Sequence, residues 1–365
     1  MILHLNTSKE WRGGENQVLN LALGLKTRKI SQIIIAQPNS PLSEKAKLAG
    51  IEVIELAMKG EFDLKAIRKI KEIILNRKVE IVHTHTAHAH SIALFAKKKK
   101  DKWKLIVSRR VDFRVKKNFF SKWKYKSSKV DLFIGVSRQI QKYLLEDGIE
   151  SSRVIAIHSG IDIQKFKRLP NADGLRKELD INKKTIVIGI IAALVDHKDH
   201  ITFLNAISKI ETENQYKAII LGEGPLESKL KELARKLDLN DRVFFLGFKE
   251  NIPEYLNLID IFTLTSKEEG LGTAILDAMA AGKPILATRG GGIPEMIVPN
   301  QGGILCEVGN SDELAIAYKT LIEKNSLRKE FSDFNKSYVE RFSFETMVNK
   351  TVQVYHSYLG KNLYN

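Results

Sequence analysis

Residues 260–289 read DIFTLTSKEEGLGTAILDAMAAGKPILATR. A short β-branched run, DIFTLTS (260–266), enters a turn that carries Glu268, Glu269, Gly270, Leu271 and Gly272. A helical stretch begins about Thr273, and a second β-branched run, PILATR (284–289), follows it. Strand, glycine turn, helix and strand make one βαβ unit, whose strands run parallel. A glycine turn that feeds a helix offers free amides and the positive end of the helix dipole, a usual seat for phosphate. Yet Glu268 and Glu269 stand at its mouth, and Asp277 lies one turn in. A site for phosphate alone has no use for three acids.

The same alternation extends in both directions. Upstream lie the strand-like runs ILHLN (2–6), QIIIAQ (32–37), EVIEL (52–56), EIVHTH (80–85), KLIVS (104–108), DLFIGVS (131–137) and RVIAIHS (153–159). They are rich in Val and Ile without polar alternation, as strands buried on both faces are. Amphipathic stretches such as Leu64–Asn76 separate them. A second series comprises TIVIGIIAAL (185–194), KAIILGEG (217–224), RVFFLGF (242–248), the two runs quoted first, and GILCEV (303–308). Between the series lies the polar segment GIDIQKFKRLPNADG (160–174). The expected fold is α/β, with two Rossmann-like doubly wound parallel sheets. The expected domains are residues 1–163, 164–342 and a C-terminal helix, 343–365, that crosses back to the first. Open sheets of this kind bind ligands at the carboxyl ends of their strands, and two of them face to face make a cleft.

The chain has 365 residues, enough for two ordinary cores, and one cysteine, Cys306, so no internal disulfide can form. The N-terminus runs straight into an apolar strand without a basic leader-like segment. The longest uncharged apolar run, Thr185 to Val195, is far short of the ~20 residues that span a bilayer. A cytoplasmic protein is therefore expected. Its net charge of +16 is uneven: 33 Lys+Arg against 16 Asp+Glu through residue 165, and 26 against 27 beyond it. Residues 97–129 alone hold 15 Lys+Arg and two Asp, interleaved with Trp103, Phe113, Phe119, Phe120, Trp123 and Tyr125. Such a mixture suits an anionic membrane surface, with a solvated basic face as the plainer alternative. Nucleic acid is not expected, because no module for it is present.

Glycine clusters fall at strand ends four times, at Gly13-Gly14, Gly222-Glu223-Gly224, Gly270-Leu271-Gly272 and Gly290-Gly291-Gly292. One alone is an ordinary βα turn. Four, together with Glu269 and Asp277 eight residues apart, His83-x-His85, GID (160–162), GEGP (222–225) and GGIPE (291–295), form a pattern. In it the chain resembles family 4 of the retaining glycosyltransferases, which have the GT-B fold, and the resemblance covers essentially the whole length.

The resemblance implies a nucleotide-sugar donor, whose anionic diphosphate lies between two groups rich in hydroxyls. Carboxylates accept hydrogen bonds from hydroxyls and amides hold phosphate, which accounts for both features of the opening turn. By this resemblance Glu269 meets the transferred sugar, Gly270, Leu271, Gly272 and Thr273 hold the diphosphate, and Asp277 takes the ribose diol. Asp277 stands where the family usually has Glu. Gly13, Gly14, Gly222, Glu223, Gly224 and Phe248 complete the expected donor site. Lys198 matches a family Lys at the diphosphate, whereas Ala193 stands where the family often carries Arg. His197, His200, Arg109 or Arg110 could supply the missing charge.

Four histidines, His83, His85, His88 and His90, follow one strand. Such a cluster can bind metal, but no carboxylate or cysteine lies among them. The resemblance instead places His85 beside the transferred sugar, so the catalytic set is His85, Glu269 and Lys198, with no metal or other cofactor. Arg109, Arg110 and Asp112 follow a strand directly and are expected on the acceptor side. The implied activity is retaining transfer to a cell-envelope glycan or lipid-linked acceptor. A nucleotide-sugar epimerase or hydrolase on the same fold, and a non-enzymatic basic membrane- or nucleic-acid-binding protein, are the rival readings.

Overall fold

The computed structural model describes residues 1–110 and 119–360. Two compact units emerge. One comprises Met1–Ile161 with the chain from Phe342 onward, the other Asp162–Arg341.

The first unit is built on a parallel seven-stranded sheet. Its strands are β1 (Ile2–Leu5), β2 (Gln32–Ala36), β3 (Val53–Glu55), β4 (Ile81–Thr84), β5 (Lys104–Arg109), β6 (Leu132–Gly135) and β7 (Val154–Ala156). Their order is β3-β2-β1-β4-β5-β6-β7, so the topology reverses between β1 and β4. Alternate residues serve opposite faces: Leu3, Leu5, Val82 and Leu105 enter one core, Ile2, Ile81 and Ile106 another. Both faces are thus covered, which is why these strands lack a polar side.

The second unit holds β8 (Ile186–Ile191), β9 (Tyr216–Leu221), β10 (Val243–Gly247), β11 (Ile261–Leu264), β12 (Ile285–Thr288) and β13 (Gly303–Cys306). They form a parallel six-stranded sheet in the order β10-β9-β8-β11-β12-β13, reversing between β8 and β11. Doubly wound α/β architecture is therefore present in both halves.

The C-terminal helix Phe344–Leu359 packs in the first unit, with Met347, Val348, Val352 and Tyr355 against Leu21 and Leu25 of the helix Gly13–Thr27. A Cβ on Gly24 would lie 2.4 Å from Val348, so only glycine admits this approach. The chain leaves and re-enters the unit side by side: Ile161 N–H donates to Phe342 O (3.0 Å), and Phe344 N–H to Ile161 O (2.9 Å). Gln17 grips Gly160 through both amide groups, at 2.7 and 2.9 Å. The division therefore falls at Ile161 rather than after residue 163, because backbone pairing holds Ile161 to the returning chain.

Candidate active site

In the second unit the loops after β8 and β11 are sewn together. The buried Thr265 hydroxyl donates to the carbonyls of Lys198 (3.1 Å) and Asp199 (3.0 Å), and Lys267 N–H donates to His197 O (2.8 Å). Across this seam the Lys198 ammonium is ion-paired with the Glu269 carboxylate. Ser266 Oγ donates to the same carboxylate oxygen at 3.1 Å. Gly290 and Gly291 support the turn from below. A Cβ on Gly290 would fall 2.1 Å from Ser266 O, and one on Gly291, where φ is +57°, 2.2 Å from Glu269 O. This fourth glycine cluster is a packing requirement of the Glu269 turn.

Gly272, at φ +88°, opens the helix Thr273–Ala280, and among the described residues no side chain caps it. The first amides of a helix have no partner within it. Asp277 is half-buried, and none of the described residues hydrogen-bonds its carboxyl group; burial pushes that carboxyl up to about 7, against a smaller opposing pull from Lys165. Glu268 is exposed.

Gly222 and Gly224 press against the loop after β8, where added Cβ atoms would meet Ala192 O at 2.0 Å and Leu194 O at 2.5 Å. Beside them a cavity of 260 Å³ is lined by Ala192, Ala193, Leu221, Gly222, Glu223, Phe248, Lys249 and Ile252. Phe248 stands at its rim, 65% exposed, its amide bound to Glu223 Oε1 at 3.2 Å. Ala193 contributes only a methyl group to this lining. His200 does not supply the missing charge, because burial, with Lys198 nearby, drives its pKa down to about 4.

In the first unit, β1 and β4 are neighbours, and their register sets His4 beside His83. His4 Nδ1 lies 3.1 Å from His85 Nε2. His83 is held between Tyr355 OH (2.6 Å from Nδ1) and Ser108 Oγ (2.7 Å from Nε2). Burial pushes all three imidazoles well below their usual pKa, so they are neutral at physiological pH. One nitrogen of each lies within 4.8 Å of the others, a spacing that could admit an ion, although hydrogen bonds already occupy most of them. His4 was invisible to sequence reasoning, because only strand order brings residues 4 and 85 together.

Gly13 and Gly14 open the helix Gly13–Thr27, and Arg110 lies over Gly14, its Cδ 3.5 Å from where a Cβ would be. Arg109 is turned inward and donates to Tyr125 OH at 2.5 Å. Asp112 lies outside the described residues. Much of the basic stretch is structural. Lys97 pairs with Asp131, Lys124 donates to Ala87 O at 2.6 Å, and Trp103, 8% exposed, is a core residue rather than a surface anchor.

Both halves match known family models, Glycosyltransferase Family 4 over residues 11–165 and Glycosyl transferases group 1 over residues 171–338. The chain belongs to the group 1, family 4 glycosyltransferases. It is 28% identical over 320 residues to N-acetyl-alpha-D-glucosaminyl L-malate synthase of Bacillus anthracis, covering 82% of this chain and 80% of that protein. A Campylobacter jejuni N-acetylgalactosaminyltransferase, named for a diphospho-undecaprenol acceptor, is 26% identical over 59% of this chain and 57% of its own. The fold is that of Anabaena HepE, solved with UDP and glucose, at a TM-score of 0.84 and 21% identity over 98% of this chain and 99% of that one. In this glycosyltransferase the acid-bearing turn, the lysine and the open helix end are therefore candidates for holding the donor.

Proposed function

We propose that this glycosyltransferase moves a sugar, with retention at the anomeric carbon, from a nucleotide-sugar donor to a cell-envelope glycan or lipid-linked acceptor. The ion pair of Lys198 with Glu269, set at the uncapped start of the helix Thr273–Ala280, carries this reading. With donor bound, Lys198 and the helix amides take the diphosphate and Glu269 the hydroxyls of the transferred sugar. Asp277 accepts from the ribose diol, and the base enters the cavity beside Phe248. Leaving-group stabilisation and positioning then do most of the catalysis, and the departing phosphate takes the acceptor's proton. Lys198 and the amides meet the diphosphate charge, so the reaction needs no divalent ion.

An anionic acceptor is supported by two relatives, one named for L-malate and the other for a diphospho-lipid. Arg110 beside Gly14 is the cation placed to meet it. A surface patch favours a membrane-held acceptor: Phe95, Phe120 and Trp123 stack, with Phe62 tilted against them, at ring centres 5.2–6.3 Å apart. Phe62 is 64% and neighbouring Phe119 87% exposed, with Lys98, Lys99, Lys100, Lys122 and Lys126 also exposed. Aromatic rings among lysines suit a headgroup layer.

The test is incubation with a panel of UDP-, GDP- and ADP-sugars, with and without membrane extract, followed by anomer analysis of the product. Acceptor-dependent release of nucleoside diphosphate with the donor's anomeric configuration is expected. Acceptor-independent conversion would instead mark a hydrolase or epimerase.

A further inference from the structure

The helix Phe119–Lys126 bridges the surface patch and the carboxyl edge of the first unit's sheet. On its outer side Phe119 and Trp123 lie four residues apart, hence on one face, and are 87% and 39% exposed. Lys122 and Lys126, both exposed, repeat that spacing beside them. On its inner side Lys124 is buried, and its ammonium donates to Ala87 O at 2.6 Å, with the Glu61 carboxylate 3.8 Å away. The Tyr125 hydroxyl accepts from the Arg109 guanidinium at 2.5 Å, and the Tyr125 ring stacks on buried Phe133 with centres 5.6 Å apart.

These inner contacts land on the chain where it leaves β4 and β5. Ala87 begins the helix Ala87–Ala96, two residues after His85. Its cap, Thr86, accepts from Ala89 N–H at 3.3 Å and meets the Thr7 hydroxyl at 2.7 Å, which ties this turn to the loop after β1 as well. Arg109 ends β5. Both places lie at the carboxyl edge of the sheet, where open α/β sheets take their ligands. A helix of eight residues is marginal by itself in water, and Lys122 and Lys126, one turn apart, repel each other. Its order therefore depends on what covers its two faces. Protein covers the inner face, whereas the outer face presents rings and ammonium groups to water. An anionic bilayer relieves both faults, because rings enter the headgroup layer and anionic lipid offsets the lysines.

We propose that the helix Phe119–Lys126 is a membrane-seated strap. Its outer face docks on an anionic lipid surface, and docking tightens the turn after β4 through Lys124 and the end of β5 through Tyr125. This coupling rests on the membrane-held acceptor proposed above. It adds that the bilayer orders the acceptor side of the site as well as presenting the acceptor.

The test uses the full chain with vesicles of phosphatidylcholine, alone or mixed with phosphatidylglycerol, and reads sedimentation together with amide hydrogen exchange. Expected with the anionic vesicles, and not with the neutral ones, are co-sedimentation and severalfold slower exchange across residues 84–96 and 104–110. High salt should reverse both effects. Phe119→Ala combined with Trp123→Ala should lose them together. Lys124→Met keeps the outer face, so it should sediment as the unaltered protein does while losing the slower exchange across 84–96. Lys124→Arg, which can still reach Ala87 O, should restore it. Tyr125→Phe is milder, removing only the hydroxyl that meets Arg109, and should lose the slowing across 104–110 alone. No sedimentation of the unaltered protein at low salt overturns the membrane-held acceptor and the coupling together. Sedimentation with unchanged exchange, or slowing that survives both Lys124→Met and Tyr125→Phe, overturns the coupling alone.

Discussion

The two units carry polar clusters of opposite kinds. The second unit's cluster is charged and made mostly within one turn, Ser266 to Asp277, with Lys198 sewn in from the adjacent loop. The first unit's cluster is neutral and assembled from separate elements, with His4, His85, Ser108 and Tyr355 contributed by four parts of the chain. The physical reason is burial. Glu269 and Lys198 neutralise each other, whereas burial, aided by the nearby Arg110 guanidinium, keeps His83 and His85 uncharged.

The contrast breaks most sharply at the ion pair. Glu269→Gln and Lys198→Ala should each lower turnover by about a hundredfold or more, corresponding to ~3 kcal/mol for one aimed electrostatic contact, with the melting temperature little changed. Near-normal rates in a nucleoside-diphosphate release assay would remove the donor site from this turn. Next in size is Gly291→Ala. Its added Cβ meets Glu269 O at 2.2 Å in a left-handed backbone, so both thermal stability and turnover should fall.

Asp277 sharpens the comparison, because burial opposes its ionisation. Its folded pKa of about 7 lies above the ordinary value of 3.8, so the folded state holds the proton more tightly than the unfolded one. Ionising Asp277 therefore lowers stability as pH rises from about 4 through 7. Asp277→Asn should raise the melting temperature more at pH 8 than at pH 5. Donor KM of the unaltered enzyme should improve as pH rises through 7, and that dependence should flatten in Asp277→Asn. Asp277→Glu, the family's usual residue, should keep most activity.

Smaller still is the surface effect. Replacing Phe119 and Trp123 with Ala in the full chain should weaken sedimentation with anionic vesicles severalfold and leave turnover on a soluble acceptor unchanged. Binding should also fall as salt screens the lysines. EDTA should have no effect. Loss of activity on chelation, restored by a divalent ion, would promote His4, His83 and His85 to a metal site.

Much of this was legible before folding. Parallel strands without a polar face, such as those around Ile33 and Ile188, can only be buried on both sides, and that requires two helical layers. The turn from Ser266 to Asp277 was readable because a helix N-terminus and its acids are set by residues a few positions apart. Tertiary structure alone decided the rest. It set His4 beside His85 through the β1–β4 register, turned Arg109 inward to Tyr125, buried Trp103, and made Gly290 and Gly291 the floor beneath Glu269. Spacing along the chain encodes local backbone geometry, but contacts across a sheet depend on strand order, which no residue states by itself. Burial likewise depends on what packs above a side chain, so the neutrality of the histidines and the raised pKa of Asp277 became visible only in the folded molecule.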